Sequence, residues 1–533
     1  MPDCKPPRPR YFYPLVALFA AVLGSVQFLS IRGETQTFDE AIELAGGYAF
    51  LKTGEYRIQP EHPPLAKVLA ALPLLALGAS VPIEDPSWRD RKDMDFGGMF
   101  LYHNRVPADT ILLAARSTAI VFTITLAVVL ALWSERKFGA RVALIAMALF
   151  SQDPNVIAYG RYMKNDMLLT LLGFLTVIAW LSYLERPRWR QMVLTGVLVG
   201  LACATKFSAI FLFPALLLMY LIRWRGLARL FYSFAAVCAI GFVTLALAYG
   251  PEAKGLIPMT RGERLARNGV RSNPLVIGLL QLAEHNAKGH EAYLMGMHSK
   301  TGWWYYFPVA FAVKTPVATL AAILLAIVIA VFRRTRPSNL QWMLAVPILA
   351  YLPFCLSTNI NTGERHLLPL YPFLFVLVST VIASMRMVWA ATIVLALAVE
   401  SFSIYPHYLA FFNFLVGGPG NGPKYLVDSN IDWGQDIKKL KRYMDEHGID
   451  KVCLGALSLA DTGYYRLGIA ELLQVPDKRK LSETCVLAVS ATILQGVYVP
   501  QEMFAWLREK TPTAKVGYSI YVYDLRKPTA LQK

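Results

Sequence analysis

Residues 11–40 read YFYPLVALFAAVLGSVQFLSIRGETQTFDE. The apolar run from about Tyr11 to Ile31 has the ~20 residues that an α-helix needs to cross a bilayer. It is longer than the apolar core of a signal peptide, so we expect an uncleaved membrane anchor. The acidic pair Asp39-Glu40 follows shortly after this run. The order of these features predicts two carboxylates at a membrane surface.

The composition predicts a polytopic α-helical membrane protein. Of the 533 residues, 55% are hydrophobic and only 17% are charged, and the charges cluster between long apolar runs. The net charge of +17 comes mainly from Arg and Lys in short loops. That distribution is typical of membrane topology and excludes nucleic acid as the expected partner.

Eleven apolar segments predict transmembrane helices. They lie at about 12–31, 111–133, 141–159, 166–184, 191–204, 207–223, 229–249, 309–332, 340–357, 366–384 and 388–405. Several are shorter than the ~20 residues of a full crossing, so neighbours such as the fifth and sixth must share turn residues. The apolar stretch 65–82 has two interpretations, a further crossing or a helix along the surface.

The distribution of basic residues favours a surface helix at 65–82. If this stretch does not cross, thirteen Arg and Lys lie in the short loops of one side and four in those of the other. A crossing would reverse that ratio, against the positive-inside rule. We therefore expect 65–82 along the outer face, a cytoplasmic N-terminus, and loops 32–110 and 250–308 outside.

The chain from residue 413 to 533 is predicted to follow the transmembrane domain 1–412 as a small α/β domain on the outer side. Strand-like runs at 451–457, 484–489 and 516–523 alternate with helical patterns at 436–447 and 500–510. Cys453 and Cys485 lie in this domain, and the sequence leaves open whether they pair. The chain has no Asn-x-Ser/Thr triplet, which favours a bacterial inner membrane over the secretory pathway.

Several acidic residues fall on the predicted outer face. Asp39-Glu40 can be a solvated helix N-terminus capped by Thr37, or a pair that does chemistry. Glu61-His62 precedes two prolines and the surface stretch, and Asp166 begins the fourth span, where helix capping is its alternative role. The gathering of these acids on one face favours chemistry at the membrane surface.

Basic residues on the same face suit an anionic lipid headgroup. Lys206 lies in the turn between the fifth and sixth spans with no acidic residue near it in sequence, and snorkelling to the interface is the alternative reading. Arg365-His366 marks another outer turn. The outer loop 250–308 adds a basic run, Arg261, Arg264, Arg267 and Arg271.

The same outer loop carries His290, Glu291 and the aromatic run Trp303-Trp304-Tyr305-Tyr306. Such a run is typical of an interfacial aromatic belt, and it also suits stacking on a sugar. The sequence contains no Walker loop, no HExxH and no nucleophile elbow. Any group transfer must therefore draw on a substrate that is already activated.

Over about residues 12–405 the chain resembles the C-type (GT-C) glycosyltransferases. It is most similar to the protein O-mannosyltransferase-like group and the bacterial lipid A aminoarabinose transferases. The resemblance rests on short motifs in a fixed order: Asp39-Glu40, Glu61-His62-Pro63-Pro64-Leu65 with Lys67, Arg161 to Asp166, and His290 followed by Trp303-Trp304-Tyr305-Tyr306-Phe307-Pro308.

The resemblance implies a GT-C fold and an inverting transfer of a sugar from a polyprenyl-phosphate carrier. By this analogy Asp39 is the general base, with Glu61 and Asp166 as accessory acids. Lys206, Arg161 and Arg365 would bind the donor phosphate. The sugar would contact Glu40, His62, His290, Glu291, Trp303, Trp304, Tyr305 and Tyr306. Some relatives bind a divalent metal, to which Glu61 and His62 would contribute, although no ligand set is evident.

The chain also departs from its relatives. It lacks the β-trefoil insert of eukaryotic protein mannosyltransferases and the WWDYG motif of oligosaccharyltransferases, so the acceptor can be a glycan, a lipid or a protein. The tail Asp428–Asp436 has no assigned chemistry, and Trp433 is expected in the core. A transporter or lipid flippase is the alternative function. It would place ionisable groups at mid-span rather than at the outer ends.

Overall fold

The computed structural model describes residues 8–250, 273–334, 336–473 and 485–526. These residues form a bundle of apolar helices followed by a small sheet. Each of the eleven predicted spans coincides with one helix or a broken pair. The long helices are Phe12–Ile31, Ala108–Phe138, Asn165–Glu185, Trp189–Cys203, Leu212–Ile222, Leu227–Ala248, Val317–Phe332, Asn339–Ser357, Tyr371–Ile382 and Met387–Ser403.

Six of the described helices are long and apolar enough to cross a membrane, or seven when a bent pair is counted as one span. Shorter apolar helices, including Ala140–Gln152, Trp189–Cys203 and Met387–Ser403, fill the bundle between them. Helices suit this setting because they satisfy every backbone hydrogen bond internally. The chain is an integral membrane protein.

Two predicted spans are interrupted, which corrects the sequence prediction. The span 309–332 consists of Tyr306–Lys314 and Val317–Phe332, which meet at 112°. Pro316 cannot donate the helical hydrogen bond and forces Thr315 into an extended conformation. The span 141–159 breaks in the same way before Pro154, where the Asp153 carboxylate caps the next helix, Pro154–Tyr159.

The outer loop 32–110 is helical. It contains Glu40–Thr53, Pro64–Leu77, Pro86–Asp90 and Asp93–Tyr102. The first two pack closely at Gly47, where a Cβ atom would lie 2.3 Å from the carbonyl oxygen of Lys67. Pro64–Leu77 has 14 residues, a length of about 21 Å, which is shorter than the ~30 Å hydrocarbon core. Its length agrees with the prediction that this stretch does not cross.

Small residues allow close packing inside the bundle. Gly196 and Gly200 on one helix face Gly241 on Leu227–Ala248, and a Cβ at Gly200 would lie 2.4 Å from the Gly241 carbonyl oxygen. Glycines four apart let two helix backbones approach, which is a common solution in membranes. This contact joins Leu227–Ala248, most of which faces outward, to the rest of the bundle.

Strands occur in two places. A hairpin of β1 (Ala292–Leu294) and β2 (Met297–Ser299) lies in the outer loop before Trp303 and was not predicted from the sequence. The tail forms a five-stranded sheet in the order β4-β3-β5-β7-β6. Its strands are β3 (Val452–Gly455), β4 (Ile469–Leu472), β5 (Val486–Ser490), β6 (Ala514–Val516) and β7 (Ile520–Asp524).

The predicted α/β character of the tail is confirmed, with two corrections. The run 516–523 is not one continuous strand but contains the end of β6, the hairpin turn at 517–519 and most of β7, and the helical pattern 500–510 yields only Ala505–Arg508. Strand β3 is parallel to β4 and β5, whereas β7 is antiparallel to β5 and β6. A disulfide joins Cys453 to Cys485, with their Cα atoms 6.1 Å apart. The domain boundary at residue 413 stays a prediction.

Candidate active site

A cavity of about 540 Å³ lies where the outer loop, the helix Pro274–Lys288, the turn at 360–366 and the tail meet. Six of the residues predicted for the site line it: Asp39, Glu61, His62, Lys206, His290 and Arg365. They come from segments far apart in sequence. The fold therefore brings together the acidic and basic side chains that the positive-inside rule predicted to lie on one side of the membrane.

Asp39 faces this cavity as a carboxylate. It stands at the N-terminus of Glu40–Thr53, as the helix alternative expected, but neither its side chain nor the buried hydroxyl of Thr37 makes a capping hydrogen bond. Its Oδ2 lies 3.0 Å from Nζ of Lys164, and about 23% of the side chain is exposed. Burial acts to raise the pKa of Asp39, but the cations of Lys164 and Arg365 outweigh it and hold this pKa below its usual value.

Lys164 also pairs with Glu43, one turn further along the helix that begins after Asp39. Burial raises the pKa of Glu43 against the opposing charges of Lys164 and Lys67, and the nearby Asp39 adds to the rise. The Oε2 atom of Glu43 is buried without a hydrogen bond partner. One ammonium group is thus shared by two carboxylates with opposite pKa shifts.

Glu40 has a structural role, which corrects its prediction as a sugar contact. It is fully buried and receives two hydrogen bonds from Arg116, at 2.9 and 2.6 Å. It also accepts the backbone N–H groups of Thr37 and Met163. Glu40 does not line the cavity. Its four bonds fix the loop from which Asp39 projects.

The tail holds the same loop from the other side. The backbone N–H of Phe38 donates to the carbonyl of Trp433 at 2.8 Å, and that of Thr35 donates to the carbonyl of Gln435 at 2.9 Å. Gly434 between them has φ of +89°, and a Cβ there would lie 2.9 Å from the Leu457 carbonyl oxygen. Glycine is required because this conformation and this contact both exclude a side chain.

Two cations line the same cavity as Asp39. Nζ of Lys206 is 2.5 Å from Oδ1 of Asp166, and NH1 of Arg365 is 3.4 Å from its Oδ2. Both cationic side chains are 13% exposed and line the cavity, whereas Asp166 lies behind them. Asp166 thus positions these cations instead of facing the cavity as an accessory acid. Burial lowers the pKa of Lys206, with Arg365 adding to this and Asp166 opposing it.

The structure also corrects the prediction that Arg161 binds the donor phosphate. Its side chain is fully buried, pairs with Glu34 at 3.0 Å and packs over the ring of Tyr162. Lys439 of the tail approaches Glu34 at 3.5 Å. This network lies outside the cavity lining, so Arg161 anchors the tail against the bundle and is not placed to bind a donor phosphate.

A continuous hydrogen-bonded chain crosses the cavity wall. Glu61 Oε1 contacts His285 Nδ1 at 2.7 Å, and His285 Nε2 contacts His290 Nδ1 at 2.9 Å. His290 Nε2 contacts the Tyr498 hydroxyl at 2.8 Å, which donates to Asp428 at 2.5 Å. The bond to Glu61 raises the pKa of His285 against burial, whereas burial lowers that of His290.

The row of hydrogen bonds from Glu61 to Asp428 bears on the predicted metal site. Glu61 and His290 contact opposite nitrogens of His285, so the three side chains do not converge on one point. His62 instead faces Glu43 at 3.9 Å, and burial with the cations Lys164 and Lys67 lowers its pKa far below normal. The described residues contain no group of three or more His, Cys, Asp or Glu that could hold a metal ion.

The aromatic run that was predicted to stack on a sugar does not line this cavity. Trp303, Trp304, Tyr305, Tyr306 and Glu291 are not among the lining residues. Trp304 is 69% exposed, Tyr306 is buried against Asn430, and Glu291 pairs with Lys300 at 3.3 Å. This corrects their prediction as sugar contacts in this cavity. Arg261, Arg264, Arg267 and Arg271 lie outside the described residues.

Trp433 is buried, as expected of a core residue, and its ring also lines the cavity, which the sequence did not indicate. Its ring faces Arg365 at 4.5 Å and Lys164 at 5.7 Å. Lys164, His285, Asp428 and Tyr498 were also missed as lining residues. Of these residues, only Lys164 could have been selected from the sequence, because it lies two residues before Asp166, which was predicted for the site. The others come from segments whose position depends on the fold of the tail.

A largely apolar pocket of about 80 Å³ adjoins the cavity and shares six lining residues with it: Glu61, His62, Lys206, Leu282, Ile360 and His366. Its walls include Phe207, Tyr351, Phe354 and Cys355. A cation at the entrance of an apolar pocket is the arrangement that a phosphate attached to a hydrocarbon chain requires. This placement supports the reading of Lys206 as a headgroup contact.

Comparison with known proteins bears on the fold. Residues 109–249 match the family model described as dolichyl-phosphate-mannose-protein mannosyltransferase. The crystal structure of ArnT from Cupriavidus metallidurans bound to undecaprenyl phosphate aligns over 98% of this chain and 100% of that one, with a TM-score of 0.51 and 14% identity. The apo ArnT structure aligns over 97% and 99%, with a TM-score of 0.53 and 15% identity.

The chain has the ArnT fold. The resemblance to the GT-C glycosyltransferases is confirmed by both comparisons, and so is the predicted fold class. The donor-bound S. cerevisiae protein O-mannosyltransferase Pmt1-Pmt2 complex aligns over 45% of this chain and 33% of its own, with a TM-score of 0.35 and 17% identity. No curated protein sequence matches the chain.

Proposed function

We propose that the protein is an integral-membrane glycosyltransferase that moves a sugar from a polyprenyl-phosphate carrier to an acceptor hydroxyl on the outer face of a bacterial inner membrane. One observation carries the proposal. The carboxylate of Asp39 and the cations of Lys206 and Arg365 share one cavity, and an apolar pocket opens beside Lys206. The ArnT fold and the mannosyltransferase match support the same chemistry.

The donor phosphate binds to Lys206 and Arg365. Both are held by Asp166, which offsets part of their mutual repulsion and leaves N–H groups for an anion. The Nε of Arg365 is buried without a partner, and a phosphate oxygen would satisfy it. Charge-assisted bonds of this kind are about twice as strong as neutral ones. The first carrier carbons enter the pocket lined by Phe207 and Phe354.

The transfer is a single displacement at the anomeric carbon. The acceptor oxygen attacks that carbon as the bond from carbon to the phosphate oxygen breaks, which inverts the configuration. The acceptor proton passes to Asp39, and the polyprenyl phosphate leaves with the bonding pair and one more negative charge. Lys206 and Arg365 stabilise that developing charge in a water-poor cavity, where fixed cations act most strongly.

The lowered pKa of Asp39 keeps its carboxylate ionised at neutral pH, which is the protonation state that a general base needs, at the expense of basicity. His62, His290 and Trp433 line the rest of the cavity and contact the sugar. Glu61 fixes His290 through His285. The acceptor can be a glycan, a lipid or a protein.

The test reconstitutes the protein in lipid nanodiscs with a panel of polyprenyl-phosphate sugars and an envelope extract as acceptor. We expect mass spectrometry to find free polyprenyl phosphate and a glycosylated acceptor in equal amounts for one sugar. Asp39→Asn should abolish the transfer. An Asp90→Asn variant serves as its matched control, because Asp90 is exposed and lies outside the cavity. The flippase alternative is tested in vesicles, where movement of an intact donor across the bilayer without cleavage would contradict the proposal.

A further inference from the structure

A second cavity lies between Val317–Phe332, Asn339–Ser357 and Tyr371–Ile382. It has a volume of about 450 Å³ and shares no lining residue with the proposed active site. Most of its walls are aliphatic, with Ile323, Ile327, Leu374, Leu377 and Val378 among them. Ile327 is 56% exposed, so the cavity is a groove that opens toward the surrounding lipid.

One end of the groove is basic and polar. Arg333 and Arg336 both line it, and NH1 of Arg333 donates to the Ser384 hydroxyl at 3.1 Å. Gln341 donates to Thr380 at 2.9 Å and joins two of the helices at this end. Among the described lining residues there is no Asp or Glu. The groove therefore combines aliphatic walls with an uncompensated positive end.

The basic end lies on the face of the membrane opposite to the active site. Arg365 and Ser384 stand at the two ends of one helical segment, from Glu364 to Ile382. At ~1.5 Å per residue that segment spans about 28 Å, close to the hydrocarbon thickness of a bilayer. Arg333 and Arg336 belong to the basic clusters that the positive-inside rule places in the cytoplasm.

We propose that this groove binds one anionic glycerophospholipid of the cytoplasmic leaflet. The acyl chains lie against the aliphatic walls, and the phosphate accepts hydrogen bonds from Arg333 and Arg336. Guanidinium groups favour phosphate because they offer paired donors in a fixed plane. Trp342 lines the groove and is half exposed, as aromatic rings at headgroup depth commonly are. The groove shares no lining residue with the cavity that contains Lys206 and Arg365, so a phosphate bound here is a different one from the donor phosphate.

The experiment equilibrates the full-length protein with nanodiscs that contain equal phosphatidylglycerol and phosphatidylethanolamine, then counts retained lipids by native mass spectrometry. We expect the wild type to retain one phosphatidylglycerol in preference to phosphatidylethanolamine. The preference should be roughly fivefold for each arginine near the surface. Arg333→Gln/Arg336→Gln should lose most of that preference. Arg188→Gln/Arg190→Gln, two exposed arginines outside the groove, should keep it.

A variant with a filled groove distinguishes lipid binding in the groove from general electrostatic attraction of lipids to the protein surface. Ala345→Phe adds bulk to the groove wall and leaves both arginines in place, so it should also reduce retention. Equal loss in the two arginine pairs, equal retention of the two lipids by the wild type, or full retention by Ala345→Phe would each overturn the proposal. Donor binding at Lys206, measured on every variant, confirms that each is folded.

Discussion

The guanidinium of Arg365 lies 4.5 Å from the centre of the Trp433 ring. The carbonyl of the same tryptophan accepts the backbone N–H of Phe38, the residue before Asp39. One residue of the tail therefore touches both the cation assigned to the phosphate and the loop that carries the base. This connection explains how a C-terminal segment becomes part of an active site formed by the membrane domain.

Trp433→Leu is expected to weaken donor binding about 5- to 30-fold, since a desolvated cation–π contact is worth roughly 1–2 kcal/mol. Trp433→Phe keeps an aromatic face and should lose less. Donor affinity can be measured by titration of tryptophan fluorescence or by isothermal calorimetry. Trp304→Leu is the matched control, because Trp304 is exposed and lies outside the cavity. An equal loss at Trp304 would contradict the assignment.

Lys206→Ala should raise the donor dissociation constant more than it slows turnover of bound donor. A hydrogen bond to a charged group contributes about 1.5–3 kcal/mol, so the dissociation constant should rise by roughly 10- to 100-fold. Single-turnover measurements at saturating donor separate the two effects. Unchanged donor affinity would remove Lys206 from the phosphate site.

The pH dependence tests the pairing of Asp39 with Lys164. A base must be ionised, and the Lys164 ammonium helps to hold the pKa of Asp39 below its usual value. Lys164→Met removes that attraction and leaves burial to raise the pKa. The acid limb of the kcat/KM profile should therefore move to higher pH, whereas Lys164→Arg should leave it nearly in place. An acid limb that does not move in Lys164→Met would rule out Lys164 as the controlling cation.

Glu40 should affect stability rather than substrate affinity. Arg116→Met leaves the buried Glu40 carboxylate unpaired, and breaking a buried pair in this way costs about 3–5 kcal/mol. The double variant Arg116→Met/Glu40→Gln should recover part of that loss. Thermal unfolding in detergent provides the measurement. A single variant that unfolds at the wild-type temperature and binds donor poorly would return Glu40 to the substrate site.

The sequence predicted the membrane architecture well because its signals are local. Apolar length identifies helices, whereas the sides that the count of Arg and Lys assigns to the loops stay a prediction. The breaks at Pro154 and Pro316 were missed although polar residues stand directly before each proline, Gln152-Asp153 and Lys314-Thr315, and mark the interruption of the apolar run. Hydropathy does not distinguish a straight span from two helices that meet at 112°.

The site was predicted in part. Asp39, Lys206 and Arg365 share the cavity as expected, because their sidedness follows from topology. Glu40 and Arg161 were placed in it wrongly, since whether a charged side chain faces a cavity or a buried partner depends on residues distant in sequence, Arg116 and Glu34. Trp433 and Tyr498 could not be assigned without knowing how the tail folds back onto the bundle.

The most direct test of the account is single-turnover transfer by Asp39→Asn. Asparagine keeps the size of the side chain but cannot accept the acceptor proton, so transfer from saturating donor should fall at least about 100-fold, the lower range for general base catalysis. Donor affinity should stay close to wild type, because Lys206 and Arg365 are unchanged. Transfer at the wild-type rate in a variant that binds donor normally would contradict the role of Asp39 as the base.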